Sequence, residues 1–194
     1  MLYVISRYNH DISWIKDYTD DYVLYDRSPI PTEGSIIVPN IGSDWYDKLS
    51  YIIENYDNLP DVAVYTKANI FKYITREEFN RIKDKETFTP ILTRNHIEKH
   101  GICHYTTDGM YNEINNYWYL DSHYARNPDE LIDLLGMRGR EYNKFAPGSN
   151  YILPKETILK HPKSFYEKLK SFLGYAVYPG EAQIIERGIY SVWA

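Results

Sequence analysis

Short apolar runs alternate with longer amphipathic stretches through the first half of the chain. Residues 2–5 read as a buried strand. Asn9 or Asp11 can cap a helix over residues 12–18. A second strand over 22–25 runs into the breakers Pro29, Pro31 and Gly34. A third, 36–38, closes in Pro39-Asn40-Ile41-Gly42. Ser43 or Asp44 then caps a helix from Trp45 to about Tyr56, whose apolar residues Trp45, Leu49, Ile52, Ile53 and Tyr56 recur at helical spacing. The turn Leu59-Pro60-Asp61 leads to a strand over 62–65. Thr75 and Glu78 have the spacing of a capping box for a helix over 76–83.

The second half is less regular. Residues 87–127 are rich in Tyr, Asn and His with weak periodicity, which reads as irregular chain with short strands and a place for substrate loops. Pro128 opens a short helix over 129–135 that Gly136 ends. A strand follows at 151–153. Pro162 opens a helix with Phe165, Leu169 and Phe172 on one face and Gly174 as its stop, and Pro179-Gly180 leads into a last helix over 181–192. Alternating strands and helices imply an α/β fold, a single mainly parallel sheet flanked by helices, and 194 residues suit one domain. Ligands of such sheets bind beyond the carboxyl ends of the strands, where the loops 6–11, 26–34 and 66–71 fall.

Composition narrows the class. The chain is 43% hydrophobic and 25% charged, as globular proteins are. Its single cysteine, Cys103, excludes an internal disulfide and a Cys-rich zinc site; between Ile102 and His104 it reads as a small buried hydrophobe rather than a nucleophile. No secretory pattern opens the chain and no apolar run approaches the ~20 residues of a membrane span, so the expected location is cytoplasmic, the host cytoplasm for a viral protein. The six histidines lack ligand spacing; His96 and His100 would share a face only if their segment were helical. The 21 tyrosines serve either the rim of the core or ring stacking. Residues 136–175 carry a net charge of +5 on a chain of net −5, either a solvated helix face or a face for an anionic partner.

Three segments could carry chemistry. Residues 6–11 lack glycine, so they form neither a P-loop nor a dinucleotide fingerprint. They do bring Arg7, Tyr8, Asn9 and Asp11 to a helix start, which suits a phosphate or a plain helix cap. Residues 39–44 are a turn before a second helix start, with Asn40 and Gly42 able to take positive φ. Residues 55–69 bring Lys67 and Asn69 to the carboxyl edge of the sheet.

Together these segments resemble a family of glycosyltransferase-like domains of inferred activity, found in fungi, bacteria and viruses. Its R-Y-N-x-D-x-x-W opening is matched by Arg7 to Trp14, its P-N-x-G segment by Pro39 to Gly42, and its N-Y-D-x-L-P-D-V strand entry by Asn55 to Val62. Its C-terminal P-x-x-F-Y-E-x-L helix, followed by a Glu-bearing helix, is matched by Pro162 to Leu169 and then Glu186. The likeness covers most of the chain, and residues 87–127 lie outside it.

The resemblance implies a GT-A-like (Rossmann-like) fold, with residues 1–86 as donor-nucleotide half and 87–194 as acceptor half. It implies transfer of a sugar from a nucleotide-diphosphate donor to a hydroxyl acceptor. Arg7, Asn9 and Asp11 would hold the donor beside Asn40 and Gly42, with Lys67 and Asn69 towards the diphosphate. Asp-x-Asp, the metal motif of many such enzymes, is absent. Inverting, metal-independent transfer is therefore favoured, with Lys67, Arg7 or the basic residues at 138–144 meeting the diphosphate charge. Should a divalent metal such as Mn²⁺ be used, Asp57, Asp61 and the histidines are the candidate ligands. No cofactor beyond the nucleotide sugar is expected. Gly148 and Ser149 resemble an acceptor-pocket strand entry. The base would be Glu181, in a Pro-Gly-Glu similar to P-x-E, or Glu186, with Asp108 and Asp121 behind them; the third alternative is that both glutamates are structural, Glu186 in an ion pair with Arg187. The acceptor is a glycan or a hydroxymethylated base of phage DNA, reached by base flipping with the basic face on phosphate. The rival reading is a nucleotide- or glycan-binding module of the same fold without turnover. Oligomeric state is not legible.

Overall fold

The computed structural model describes residues 1–92, 103–105, 111–114 and 128–194, the two short central stretches as backbone. Six strands form one mixed sheet: β1 (Leu2–Arg7), β2 (Tyr22–Asp26), β3 (Ile36–Ile37), β4 (Val62–Lys67), β5 (Thr89–Pro90) and, later in the chain, β9 (Tyr151–Pro154). Their order is β3-β2-β1-β4-β9-β5. The pairs β1–β2, β1–β4 and β2–β3 are parallel, and β9 runs antiparallel to both β4 and β5. A separate antiparallel sheet joins β6 (Cys103–Tyr105), β7 (Tyr111–Ile114) and β8 (Tyr142–Phe145).

The helices are α1 (Ser43–Glu54), α2 (Arg76–Ile82), α3 (Pro128–Leu134), α4 (Lys155–Leu159), α5 (Lys163–Ser171) and α6 (Gly180–Trp193). Side chains alternate across a strand, so a strand buried on both faces is apolar throughout. In β1 and β4, Val4, Ala63 and Tyr65 join the core under α1, α5 and α6, together with Trp45, Leu49, Ile52, Leu169 and Trp193. Tyr3, Ile5 and Val64 point to the opposite core, closed by Trp14, Ile15 and Phe79. Many tyrosines are therefore core residues: Tyr3, Tyr25, Tyr51, Tyr65, Tyr151 and Tyr166 are all buried.

The expected α/β sheet flanked by helices is present, and its parallel part lies where the first half of the sequence puts it; it is not single, because β6, β7 and β8 pair in a second sheet, and it is mixed, because β9 enters antiparallel between β4 and β5. Some local expectations differ. The helix expected over 12–18 is one 3₁₀ stretch, Ser13–Asp17, because Asp11 accepts from the Ser13 amide at 3.0 Å and closes a tight turn. Neither Ser43 nor Asp44 caps α1. Gly42 does so in a left-handed conformation, φ 68°, with no side-chain bond, and both side chains are released for other contacts. The Thr75 box forms as expected, its hydroxyl accepting from the Glu78 amide at 3.2 Å. The helix α5 stops at Ser171, ahead of Gly174. The strand β8 and the helix α4 have no periodic signature in the sequence. Within the irregular stretch, β5, β6 and β7 are strands; the side chains of Cys103 and His104, and His96, His100, Asp108, Asp121 and His123, fall outside the described residues. Among the described residues no helix is long and apolar enough to cross a membrane.

One position tests how tightly α6 is seated. A glycine-to-alanine change inside a helix ordinarily stabilises by about 1 kcal/mol. A Cβ on Gly188 would lie 2.7 Å from Met137 Sδ and 2.8 Å from Leu135 Cβ. The sign should therefore reverse: Gly188→Ala is expected to lower stability by ~1–2 kcal/mol in urea unfolding, because overpacking outweighs the propensity gain.

Candidate functional site

In chain order the strands step from β1 outwards to β2 and β3, and β4 then returns to the other side of β1. The strand order thus switches direction between β1 and β4, and the loops beyond their carboxyl ends part to leave a crevice. A cavity of about 230 Å³ occupies it, lined by Ser6, Arg7, Tyr8 and His10 after β1, Arg27 after β2, and Lys67, Asn69 and Tyr73 after β4. Asn40, Ser43, Asp44 and Tyr178 complete the wall. A smaller chamber of about 70 Å³ shares Ser43, Asp44, Lys67 and Tyr178 and continues to Trp45, Ser149, Pro179, Ala182, Gln183 and Glu186. The outer chamber and the inner one are thus two parts of one cleft.

Asp44 stands where the two chambers meet. It is 8% exposed and carries two lysines: Lys48, one helical turn on, at Oδ2, and Lys67 at 3.2 Å from Oδ1. Ser43 Oγ adds a hydrogen bond at 2.9 Å. Burial opposes the charge of Asp44, but the two lysines outweigh it and hold its pKa well below the carboxylate range. Lys48 is fully enclosed; burial lowers its pKa, and Asp44 only partly restores it. Burial also opposes the charge on Lys67, yet Asp44 and Glu186 hold its pKa above the ordinary lysine value. Lys67 keeps 23% of its side chain exposed and lies over the Tyr73 ring at 5.4 Å.

The far wall is a turn held from two sides. Gly148 and Ser149 both have positive φ, 88° and 60°, and a Cβ at Gly148 would meet the Tyr73 ring at 2.5 Å. Ser149 is not a glycine, so its conformation has to be imposed. Lys48 Nζ donates to its carbonyl. Glu186 Oε1 accepts from the Gly148 amide at 2.7 Å and from Ser149 Oγ at 3.2 Å, while Glu186 Oε2 pairs with Arg187 at 2.7 Å. Asn150 Oδ1 accepts from the Lys67 amide at 2.9 Å and fixes the end of β4.

Two further ion pairs brace the outer chamber. Register places Arg7 beside Asp26, and Arg7 donates to Asp26 Oδ2 at 2.6 Å and to Ser28 Oγ at 2.9 Å. Asp26 also accepts from the Ser28 and Thr32 amides, both at 2.9 Å. These bonds overcome the burial of Asp26 and lower its pKa to about 2. Arg27 pairs with the fully buried Asp47 at 2.6 Å. There burial prevails over the arginine and raises the Asp47 pKa to about 6.

Of the residues singled out in the sequence, Arg7, Asn40, Lys67 and Asn69 meet in the outer chamber and Ser149 and Glu186 in the inner one. Gly42 caps α1 just behind the wall, and Gly148 shapes the turn. Asn9, at φ 54°, donates its amide to Ser28 Oγ, and Asp11 caps Ser13; neither lines the cleft. Glu181 is 1% exposed, accepts from the Tyr175 hydroxyl and lines neither chamber. Asp57 and Asp61 precede β4, at the sheet edge opposite the cleft, and Asp61 pairs there with Lys155. Arg138 pairs with Asp133, Arg140 donates to Ser191, and Lys144 lies over Tyr190; none lines the cleft. Much of the basic segment is already engaged, since Lys168 also pairs with Glu130 and Lys160 donates to the Trp193 carbonyl. Asp47, Lys48, Tyr73 and Tyr178 were not marked in the sequence, and Asp26, Arg27 and Asp44 were marked there only as members of the segments 26–34 and 39–44, Asp44 also as a candidate helix cap. Only the Asp44–Lys48 spacing of four carried a local signal. In comparisons with family models, with curated proteins and with solved structures, nothing matches this chain.

The pKa of Asp26 makes a stability prediction. Its folded value of about 2 lies below the ordinary 3.8, so its contribution is complete above pH 4 and is lost as pH falls towards 2. The shift corresponds to about 2 kcal/mol. Asp26→Asn should lose that amount at pH 7, and the gap to the native chain should narrow in urea titrations between pH 4 and pH 2.5.

Proposed function

We propose that the chain is a glycosyltransferase that takes its sugar from a nucleotide-diphosphate donor. The observation that carries this reading is the cavity at the switch point between β1 and β4, walled by Arg7, Arg27 and Lys67. Such a crevice suits a nucleotide, and cations on its wall suit the diphosphate. Tyr8 and Tyr178, 40% and 71% exposed, offer rings at its mouth. In the proposed step an acceptor hydroxyl in the inner chamber attacks the anomeric carbon. The bond from that carbon to the diphosphate oxygen breaks, the hydroxyl proton passes to Glu186, and Lys67 meets the charge left on the diphosphate. Glu186 is preferred to Glu181 because it lines the inner chamber. A glycan acceptor is preferred to DNA because so much of the basic segment is internally paired.

One observation favours a second reading, a binding module without turnover: Lys67 and Arg7 already have carboxylate partners in the free protein. Donor hydrolysis across a panel of nucleotide sugars separates the two. Binding without hydrolysis supports the module, and no binding of any nucleotide sugar refutes the enzyme and the nucleotide-binding form of the module, leaving a glycan-binding one.

For the enzyme, Glu186→Gln should reduce turnover by about a hundred- to ten-thousand-fold with donor affinity kept, while Glu181→Gln retains turnover. Lys67→Ala should weaken donor binding about tenfold to a hundredfold by calorimetry, as loss of a charge-assisted bond does. Turnover should also persist in excess EDTA, since Lys67-Ala68-Asn69 stands where a metal motif would; complete loss reversed by Mn²⁺ would overturn metal independence.

A further inference from the structure

The segment that leads into α6 is apolar, exposed and yet fixed in place. From Phe172 to Gly180 it carries no charged side chain, on a chain that is 25% charged. Tyr175, Val177 and Tyr178 are nevertheless exposed, at 42%, 38% and 71%. Two backbone bonds pin the segment to the start of α1: the Gly42 amide donates to the Ala176 carbonyl at 2.7 Å and the Ser43 amide to the Val177 carbonyl at 3.0 Å. Pro179 then passes directly into α6. Tyr178 lines both the outer chamber and the inner one. Among the described residues it has no hydrogen bond and no ring or cation contact. The fold therefore holds a large ring in water where the two chambers meet, and no internal contact accounts for it. An exposed apolar cluster beside a cleft marks a binding surface.

Size and charge limit what that surface takes. The inner chamber, about 70 Å³, holds roughly two water-sized groups. An acceptor hydroxyl enters it beside Glu186, but the ring that bears the hydroxyl stays outside, where Tyr178 stands. The uncharged segment offers no counter-ion to a phosphate or a carboxylate. Tyr8 stands apart from it, lining only the outer chamber, next to Arg7. A sugar ring presents a face of C–H groups with hydroxyls around its rim. Such a face packs on an aromatic ring while the rim stays hydrated. We infer that Tyr178 is the residue that selects the acceptor: a neutral sugar whose ring stacks on the Tyr178 side chain and whose attacking hydroxyl reaches into the inner chamber towards Glu186. Tyr8 is left to the nucleotide. This rests on the reading of the cleft as a sugar-handling site, but the stacking needs neither a nucleotide nor turnover.

The test is titration of the nucleotide-free protein with methyl glucoside, methyl galactoside and methyl mannoside, read by saturation transfer to the sugar protons. At least one of them is expected to bind, with saturation concentrated on the ring protons of one face. Tyr178 is exposed, so its variants should keep the melting temperature. Tyr178→Ala should weaken that sugar about fivefold, as loss of an aromatic contact does, while Tyr178→Phe and Tyr178→Trp retain it, because stacking needs the ring and not the hydroxyl. The affinity of Tyr178→Ala for uridine diphosphate should match that of the native chain. Absence of binding by all three sugars, full affinity in Tyr178→Ala, or a loss in Tyr178→Phe equal to that in Tyr178→Ala would each overturn the assignment. So would a loss confined to uridine diphosphate, which would give the ring to the donor. Failure of donor hydrolysis overturns only the enzyme reading, because the sugar probes contain no nucleotide.

Discussion

A buried carboxylate between two lysines organises this molecule. Asp44 cannot remain charged at 8% exposure without partners, and Lys48, fully enclosed one turn later, cannot remain charged without Asp44. Each therefore requires the other. The consequences reach well beyond α1. Lys48 also donates to the Ser149 carbonyl, a hundred residues along the chain, and so ties the first helix to the turn before β9. Lys67, at the end of β4, takes the remaining carboxylate oxygen and is drawn towards the junction of the two chambers. One charge balance thus joins a helix start, a strand end and a strained turn.

The same balance explains why the cleft is polar and yet enclosed. Arg7–Asp26 and Arg27–Asp47 repeat the pattern on the β2 side, each with its carboxylate fully buried. The outcomes differ because the carboxylates have different company. Asp26 accepts two amides besides its arginine, and its pKa falls to about 2. Asp47 is raised to about 6, since burial outweighs its one cation. Its stability contribution therefore runs the other way: complete below pH 3.8 and lost as pH rises through 6.

The two glutamates of α6 show how a helix separates candidates that look equivalent in sequence. Positions 181 and 186 are five residues apart, well over a turn, and so face different ways. Glu181 turns inwards to the Tyr175 hydroxyl, and Glu186 turns to the Gly148–Ser149 amide and hydroxyl at the inner chamber. Their positions on α6 separate them, on a helix seated so closely that a Cβ at Gly188 would meet Leu135 and Met137.

Much of the frame was legible along the chain, because local patterns report local structure. The apolar runs of β1, β2 and β4, the spacing of Trp45, Leu49 and Ile52, and the Thr75–Glu78 box all depend on neighbours within a turn or a strand. Placing the loops after β1, β2 and β4 on one edge followed from alternation alone, and Arg7, Lys67 and Asn69 were found by that route. What remained hidden depends on residues far apart in sequence. The antiparallel entry of β9 beside β4, the pairing of Arg7 with Asp26 across the strands, and the reach of Lys48 to Ser149 leave no periodic trace. Asp44 reads as a helix cap until Gly42 takes that place, and only then is its carboxylate free for two lysines. Sequence therefore determined the elements and the edge that bears the site; the tertiary structure decided which charges meet there, because burial makes a charge depend on partners that only the folded chain brings within reach.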